Sequence, residues 1–432
     1  MKVKELIEQI EGEADVVFEL KKGVVEYATI SFAHFRGMES LLEGKDMLDA
    51  LVFTPRVCGI CGHSHLFATV LALEDACKNA GVDLTLTQKA KNLREFTLTM
   101  EIIQNHLKWL YFTIFPELEK LLPSLKAPAP LKGAFGANLA TKAISVFAGQ
   151  WPHSAYMVPG GVTADPTQVD IFKAKGYIQE LISFVQKELL GVGIESFLAF
   201  ESCKDFNSLE SDLGLLEKGL VDLKMYEKGF AHDRFLVLGS HSFASPKKLK
   251  QTRISSADSR FVATTKAFTS SQKSYALNAH YKEEYYECGS LSRLMATSYP
   301  MVKNMHRRFK DSAYTRVISR VLELALLLQN AGKLLDNINV TEASCILPKN
   351  ISNLSAEGVA VVEAPRGPLL HKVVIKDAKI ESYKIITPTQ FNIGSDIKER
   401  LTPVQKAMQG VSKEEALFIF RTFDVCSVCT TH

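Results

Sequence analysis

Two Cys-x-x-Cys pairs, Cys58/Cys61 near one end of a 432-residue chain and Cys426/Cys429 near the other, are the residues whose type and spacing most clearly suggest chemistry. Two thiolates separated by two residues can both turn inward on one tight turn, so each pair can present two sulfurs to one metal. Two such pairs complete a four-sulfur site. Structural zinc is the plainest use of four cysteines, but zinc ribbons bring their pairs together within about 15–20 residues. Here 365 positions separate Cys61 from Cys426, so nearly the whole fold would close around one site. Redox-active dithiols are a further reading, yet neither pair opens a thioredoxin-like strand–helix unit. Spacing alone leaves a redox-active metal and zinc on equal footing. Cys77, Cys203, Cys288 and Cys345 are scattered singly and read as buried small hydrophobes.

The elements that must hold two such distant pairs together are mostly helical. Apolar residues Leu93, Phe96, Met100, Ile103, Leu107, Leu110 and Ile114 recur at spacings of three and four, which predicts a helix from about Gln88 to Phe115, ended by Pro116. A helix from Ser64 to Ala80 stops at Gly81. Another begins after Thr167, an N-cap with Asp170 three residues on, and runs to Leu190 before Gly191. A further one covers Ala313–Leu335. A loop-rich region is expected around Phe147–His153 and Pro159–Val162. The first ten residues have a helical rhythm. Val16–Leu20 and Val24–Ile30 alternate around Lys21-Lys22-Gly23 as a hairpin, and Val359–Glu363, His371–Ile375 and Ile380–Ile386 read as strands. The expected class is α+β and predominantly α-helical: a long central helix bundle with small β pieces near both ends. No linker or repeat divides residues 1–432, so one large domain is expected, with its metal site built from segments 56–65 and 424–432.

A formal net charge of +3 on 99 charged groups lacks the concentrated basic stripe of a nucleic-acid binder. Lys247–Lys250 reads as solvated surface. The most apolar window, Val321–Leu328, contains Glu323 and is far shorter than a membrane span of about 20 residues. There is no secretory signal, and no Gly-x-Gly-x-x-Gly or phosphate-binding loop.

The residues flanking the cysteines decide between the open readings. Arg56-Val-Cys58-Gly-Ile-Cys61-Gly-His63-Ser-His65 and Asp424-Val-Cys426-Ser-Val-Cys429-Thr-Thr-His432 resemble the two signature motifs of nickel–iron hydrogenase large, catalytic subunits. Phe35-Arg36-Gly37-Met38-Glu39 looks like that family's Phe-Arg-Gly-x-Glu segment. Glu363-Ala-Pro365-Arg366-Gly367 looks like its Pro-Arg-Gly stretch, and Pro388-Thr-Gln-Phe-Asn392 resembles its Pro-Thr-x-Trp-Asn. Pro152-His153 and Gly160-Gly161-Val162 also fit. The resemblance runs from Glu11 to His432. Each piece is weak alone, but six in order are specific.

The resemblance implies that Cys58, Cys61, Cys426 and Cys429 bind nickel, with Cys61 and Cys429 bridging to an iron that carries cyanide and carbon monoxide. Soft, anionic thiolates suit a metal that must change redox state without changing partners. It further implies that Cys426 accepts the proton from heterolytic dihydrogen cleavage and that Glu11 passes it on, although Glu8, Glu11 and Glu13 would otherwise read as a charged surface. Arg366 would be a fixed cation over the metals, and His65 would donate to the sulfur of Cys61. His63 has no such counterpart. Glu39, the main-chain carbonyl near Ile385, and His432 would hold magnesium. Four positions depart from the family pattern: Val425 stands for a proline, Glu13 for a histidine, Phe391 for a tryptophan, and Asn105 where many relatives carry aspartate. Altered proton or oxygen handling is expected.

The four remaining cysteines show no iron–sulfur spacing, so electrons must leave through a partner. The resemblance supplies an iron–sulfur small subunit, giving a heterodimer or a dimer of heterodimers, together with a maturation protease and nickel-insertion factors. The expected activity is dihydrogen oxidation in the uptake direction, in the cytoplasm or at a membrane through partners, with export alongside the small subunit left open. The alternatives are a hydrogen-sensing regulatory subunit, a metal-free relative in a quinone reductase, and a zinc-stapled structural protein.

Overall fold

The chain's computed structural model describes residues 1–9, 12–206, 208–240, 247–250, 253–269 and 273–432. Strands β1 (Lys2–Gln9), β2 (Gly12–Lys21) and β3 (Val24–Ser31) form an antiparallel meander. The hairpin is where the alternation places it, and Val16, Phe18, Ala28 and Ile30 are buried. β1 was expected to be helical. It is a strand because a period-two pattern wins: Val3 and Glu5 are half-buried while Lys2, Lys4 and Leu6 face out. Lys2–Glu19 and Lys4–Asp15 ion pairs tie its outer face to β2.

Helix α1 (Gly62–Asn79) follows Cys61 directly, and Gly81 takes the left-handed conformation after it (φ 74°). Helix α2 (Gln88–Trp109) starts at the Thr87 cap, whose hydroxyl accepts from Ala90 N. Its predicted stripe is wholly buried. Pro116 does not end it. The backbone passes through a wider π-helical turn at Leu110–Ile114 into a further helical segment, Phe115–Leu121. Pro116 therefore falls in the first turn of a new segment, where a missing N–H costs little.

Helix α3 (Pro130–Ala148) occupies part of what reads in sequence as loop. Its small residues let it lie close to α2 and to α4 (Gln168–Phe184), the latter opened by the Thr167/Asp170 capping box. A Cβ at Gly133 would stand 2.4 Å from the Cβ of Tyr111, in the turn that follows α2, so this approach requires glycine. Short strands follow: β4 (Met157–Val158) with β5 (Gly161–Val162), the meander β6 (Arg234–Val237), β7 (Lys247–Lys250) and β8 (Arg253–Ser256), and the pair β9 (Val262–Lys266) and β10 (Leu277–Tyr281).

Helix α5 (Ser290–Ala296) packs on α6 (Ala313–Asp336), which completes the bundle against α2. Glu323, the charge that interrupts the apolar window of α6, is fully buried. It binds Arg293 through both oxygens (2.6 and 2.7 Å) and contacts His106 at 2.7 Å, while Arg293 also reaches Glu363 at 3.0 Å. One buried ionic knot thus joins four segments. Among the described residues no helix is long and apolar enough to cross a membrane.

The last sheet, β11 (Ala356–Ala364), β12 (Gly367–Lys376) and β13 (Lys379–Ile386), lies across α1. Gly358 permits that crossing, since a Cβ there would be 2.0 Å from Ala72 O. Helix α7 (Lys413–Thr422), with its Ser412/Glu415 capping box, delivers the second cysteine pair. Of the scattered cysteines, Cys77 and Cys288 are buried, whereas Cys203 and Cys345 are only half-buried.

Candidate metal centre

The fold brings both cysteine pairs to one buried point. Cys58 Sγ is 3.7 Å from Cys426 Sγ, Cys61 Sγ 3.5 Å from Cys429 Sγ, and Cys426 Sγ 2.9 Å from Cys429 Sγ. All four sulfurs lie within 4.8 Å of one another, and among the described residues no other group of three or more His, Cys, Asp or Glu converges in this way.

Each pair is held by its own local geometry. Cys58 Sγ accepts from the main-chain N–H groups of Ile60 (3.4 Å) and Cys61 (3.2 Å), which closes the first turn. Cys61 then starts α1, and Glu101 on α2 fastens that start. Its carboxylate accepts from His63 N (2.9 Å), Ser64 N (2.9 Å), Ser64 Oγ (2.7 Å) and Trp151 Nε1 (3.1 Å). Burial, the largest effect, leaves its pKa above the usual carboxylate range although the Ser64 hydroxyl and the other donors lower it; because three of the four partners are N–H groups that can only donate, we read it as ionised. Glu101 was missed in the sequence, where its only signal is a carboxylate between Met100 and Ile102 inside an apolar stripe.

The second pair is fastened by Arg366 and Asp424. Arg366 sits in the turn between β11 and β12, is nearly fully buried, and donates to Asp424 O (2.9 Å), Asp424 Oδ1 (3.1 Å) and Asn105 Oδ1 (3.1 Å). Asn105 turns its amide N–H groups to Ile60 O (2.6 Å) and Glu101 O (2.9 Å), so it links Arg366 to the first cysteine turn. Arg320 approaches Asp424 Oδ2 at 2.8 Å, but neither atom meets hydrogen-bond alignment; this is a contact of charge alone. Arg36 joins the two pairs, donating to Val57 O (2.5 Å) and Arg56 O (2.9 Å) while its own N–H meets Thr431 O (3.0 Å). Asp424, Arg320 and Arg36 were also not foreseen as supports.

The sulfur environment favours a shared negative charge. Burial opposes ionisation of Cys58, yet hydrogen bonds from the neighbouring thiols and the charge of Arg366 hold it well below the usual thiol range. Hydrogen bonds to its neighbours and burial push Cys61 well above that range, and burial leads the same rise at Cys429. Four soft, buried sulfurs with a fixed cation beside them fit a thiophilic transition metal. Beside them Cys61, His65, Arg366, Thr389, Cys426 and Cys429 line a cavity of about 10 Å³, room for about one water at most.

The remaining expected residues fall as follows. Glu39, Ile385 and His432 come together: Glu39 Oε1 accepts from Ile385 N (2.6 Å), and His432 Nε2 lies 3.2 Å from Glu39 Oε1 and 2.9 Å from Ile385 O. His65 is buried, with Nδ1 3.1 Å from His371 Nε2, and burial drops its pKa to about 3. His63 is buried against Tyr156 with neither ring nitrogen hydrogen-bonded. Glu11 lies outside the described residues.

The family model described as nickel-dependent hydrogenase matches residues 36–114 and 137–432. The periplasmic [NiFeSe] hydrogenase large subunit of Desulfomicrobium baculatum is 25% identical, covering 93% of this chain and 88% of that protein. The sulfhydrogenase 2 subunit alpha of Pyrococcus furiosus is 25% identical, covering 98% and 96%. The fold is that of a solved Dm. baculatum [NiFeSe]-hydrogenase chain, with TM-score 0.83, 22% identity and full coverage of both chains.

Proposed function

This chain belongs to the nickel-dependent hydrogenase family, and from that premise we propose that it is the catalytic large subunit of a nickel–iron hydrogenase that oxidises dihydrogen and passes electrons to an iron–sulfur small subunit. The observation that carries the reading is the convergence of all four motif cysteines, from opposite ends of the chain, within 4.8 Å. Cys58, Cys61, Cys426 and Cys429 would hold nickel, and Cys61 and Cys429 would also hold an iron bearing cyanide and carbon monoxide. When bound, the two metals supply the redox centre at which dihydrogen is split heterolytically.

The chain's own residues would then handle charge and protons. Cys426 Sγ would take the first proton, and Glu11 would carry it onward. Arg366, fixed by Asp424 and Asn105, keeps a cation beside the sulfurs without reorganising. His65 would donate to Cys61 and restrain its basicity. Glu39 Oε1, the Ile385 carbonyl and the His432 imidazole would hold magnesium, and two oxygens among three donors suit a hard cation. Relatives named as large or alpha subunits support electron exit through a partner.

The test is the infrared spectrum of the metal-loaded complex, with metal analysis. Intrinsic cyanide and carbonyl bands, one nickel and one magnesium per chain are expected. Matured protein with zinc alone would overturn the reading, and hydrogen turnover with an artificial acceptor checks the direction.

A further inference from the structure

His65 is the start of a buried hydrogen-bonded chain that leads away from the sulfurs. Its Nδ1 lies 3.1 Å from His371 Nε2. His371 Nδ1 in turn lies 2.8 Å from the Tyr383 hydroxyl and 3.1 Å from the Thr69 hydroxyl. The Thr69 oxygen is also 2.9 Å from Tyr383 Oη, 2.7 Å from Thr54 Oγ1 and 2.9 Å from the His65 carbonyl. Thr54 spends its own hydrogen on Ala50 O at 2.8 Å. All five side chains are buried, and His65 lines the cavity that Cys61, Cys426 and Cys429 share. With Nδ1 directed to His371, Nε2 is the nitrogen left for that cavity.

A contact between two neutral imidazole nitrogens holds one hydrogen, so the chain has two consistent arrangements. In the first, Tyr383 donates to His371 Nδ1, His371 donates from Nε2 to His65 Nδ1, and His65 carries its hydrogen on Nε2. In the second, His371 donates from Nδ1 to a hydroxyl, His65 donates from Nδ1, and Nε2 is bare. Thiolate sulfurs accept and cannot donate. A bare nitrogen beside them is left unsatisfied, whereas an N–H is satisfied. Thr69 cannot take over from Tyr383 without withdrawing its hydrogen from both Thr54 and the His65 carbonyl.

We propose that His371 and Tyr383 are positioning residues that hold His65 in the form carrying its hydrogen on Nε2, so that it offers an N–H to the cysteine sulfurs. The proposal rests on the hydrogenase reading for the thiolate state of those sulfurs, and it extends control of the site to β12 and β13. The sulfurs favour that form, and the Tyr383 hydroxyl supplies the hydrogen that His371 Nδ1 must accept for the form to be fully satisfied, two hydrogen bonds away from His65.

The experiment is nitrogen NMR of the metal-loaded complex labelled with ¹⁵N-histidine, in a diamagnetic reduced state, with His65→Asn identifying the His65 signals. The wild-type protein is expected to carry the His65 hydrogen on Nε2. Tyr383→Phe, which keeps the ring and its packing, should raise the fraction of His65 protonated on Nδ1 and shift the intrinsic cyanide and carbonyl bands. His371→Gln should shift the bands in the same sense. A wild-type His65 protonated on Nδ1, or one unmoved by Tyr383→Phe, overturns the proposal. Missing infrared bands in wild-type protein would instead remove the metal reading, while the nitrogen spectra still decide the positioning role.

Discussion

Replacing Glu101 with glutamine tests whether the start of α1, and with it the first cysteine turn, depends on one buried carboxylate. The carboxylate divides its donors into two pairs: Oε2 takes His63 N and Trp151 Nε1, and Oε1 takes Ser64 N and Ser64 Oγ. Glutamine offers one oxygen and one amide N–H₂. If the N–H₂ faces His63 and Trp151, two N–H groups are stranded. If it faces Ser64, the hydroxyl can reverse and accept, so only Ser64 N–H is stranded. The cheaper pose therefore costs about 1–3 kcal/mol for one orphaned buried donor. Loss of the negative charge at the N-terminus of α1 adds about 0.3–1 kcal/mol. Together these give about 1.3–4 kcal/mol, a large part of a net stability of about 5–15 kcal/mol. With an unfolding entropy of about 2.1 cal/mol/K per residue, a chain of this length loses about 1 °C per kcal/mol, so the unfolding midpoint should fall by about 1.5–4 °C. Scanning calorimetry of matched wild-type and Glu101→Gln protein measures this. Glu101→Ala strands all four donors and should fall further. A midpoint within 1 °C of wild type for Glu101→Gln, or an alanine variant no worse than the glutamine one, would refute the argument.

Three further outcomes are expected. Cys58→Ser should reduce nickel in purified complex to below about a tenth of wild type by elemental analysis, whereas Cys345→Ser, outside the cluster, should leave it unchanged; this follows from the need for soft ligands. Asp424→Asn removes the anion shared by Arg320 and Arg366. Stranding buried charge costs about 3–5 kcal/mol, so the midpoint should drop by about 3–5 °C and hydrogen turnover should fall with it. Burial pushes His63 down to about 3, below its unfolded value of about 6.5. The unfolded chain therefore binds the extra proton between those values, and stability falls as pH is lowered from about 6.5 toward 3, by about 1.4 kcal/mol per pH unit. His63→Leu should flatten the fall in midpoint between pH 6 and pH 4 by that one proton.

The metal centre was legible because its signal is local: residue type, pair spacing and flanking motif all sit within ten positions at each end. The helices with strict apolar stripes, from Gln88 and from Ala313, were legible for the same reason. The supports were not, because their partners are distant in sequence. Glu101 caps a helix 37 residues upstream, and Arg366 meets Asn105 across 261 positions. Helix α3 escaped notice because glycine and alanine take most of its buried positions and only Leu139, Ile144 and Phe147 are large, too few to mark a stripe. The first ten residues misled in the opposite direction. Their charges mimic a helical rhythm, while the strand is set by pairing with β2, from Gln9 opposite Gly12 to Lys2 opposite Glu19.

The closing of the sulfur cluster from both ends of the chain also gives it a place in time. At a synthesis rate of about 5–20 residues per second, the 365 positions between Cys61 and Cys426 take about 20–70 s to emerge. For that interval the nascent chain carries a half-built pocket, two thiols on a turn without their partner sulfurs, and for most of it Arg366 and β11 have not been made either. Any metal captured then would meet only two of its four sulfurs. A metal that needs all four sulfurs would therefore be held only late, after α7 has docked and Asp424 has met Arg366, and the length of the chain itself would act as the delay.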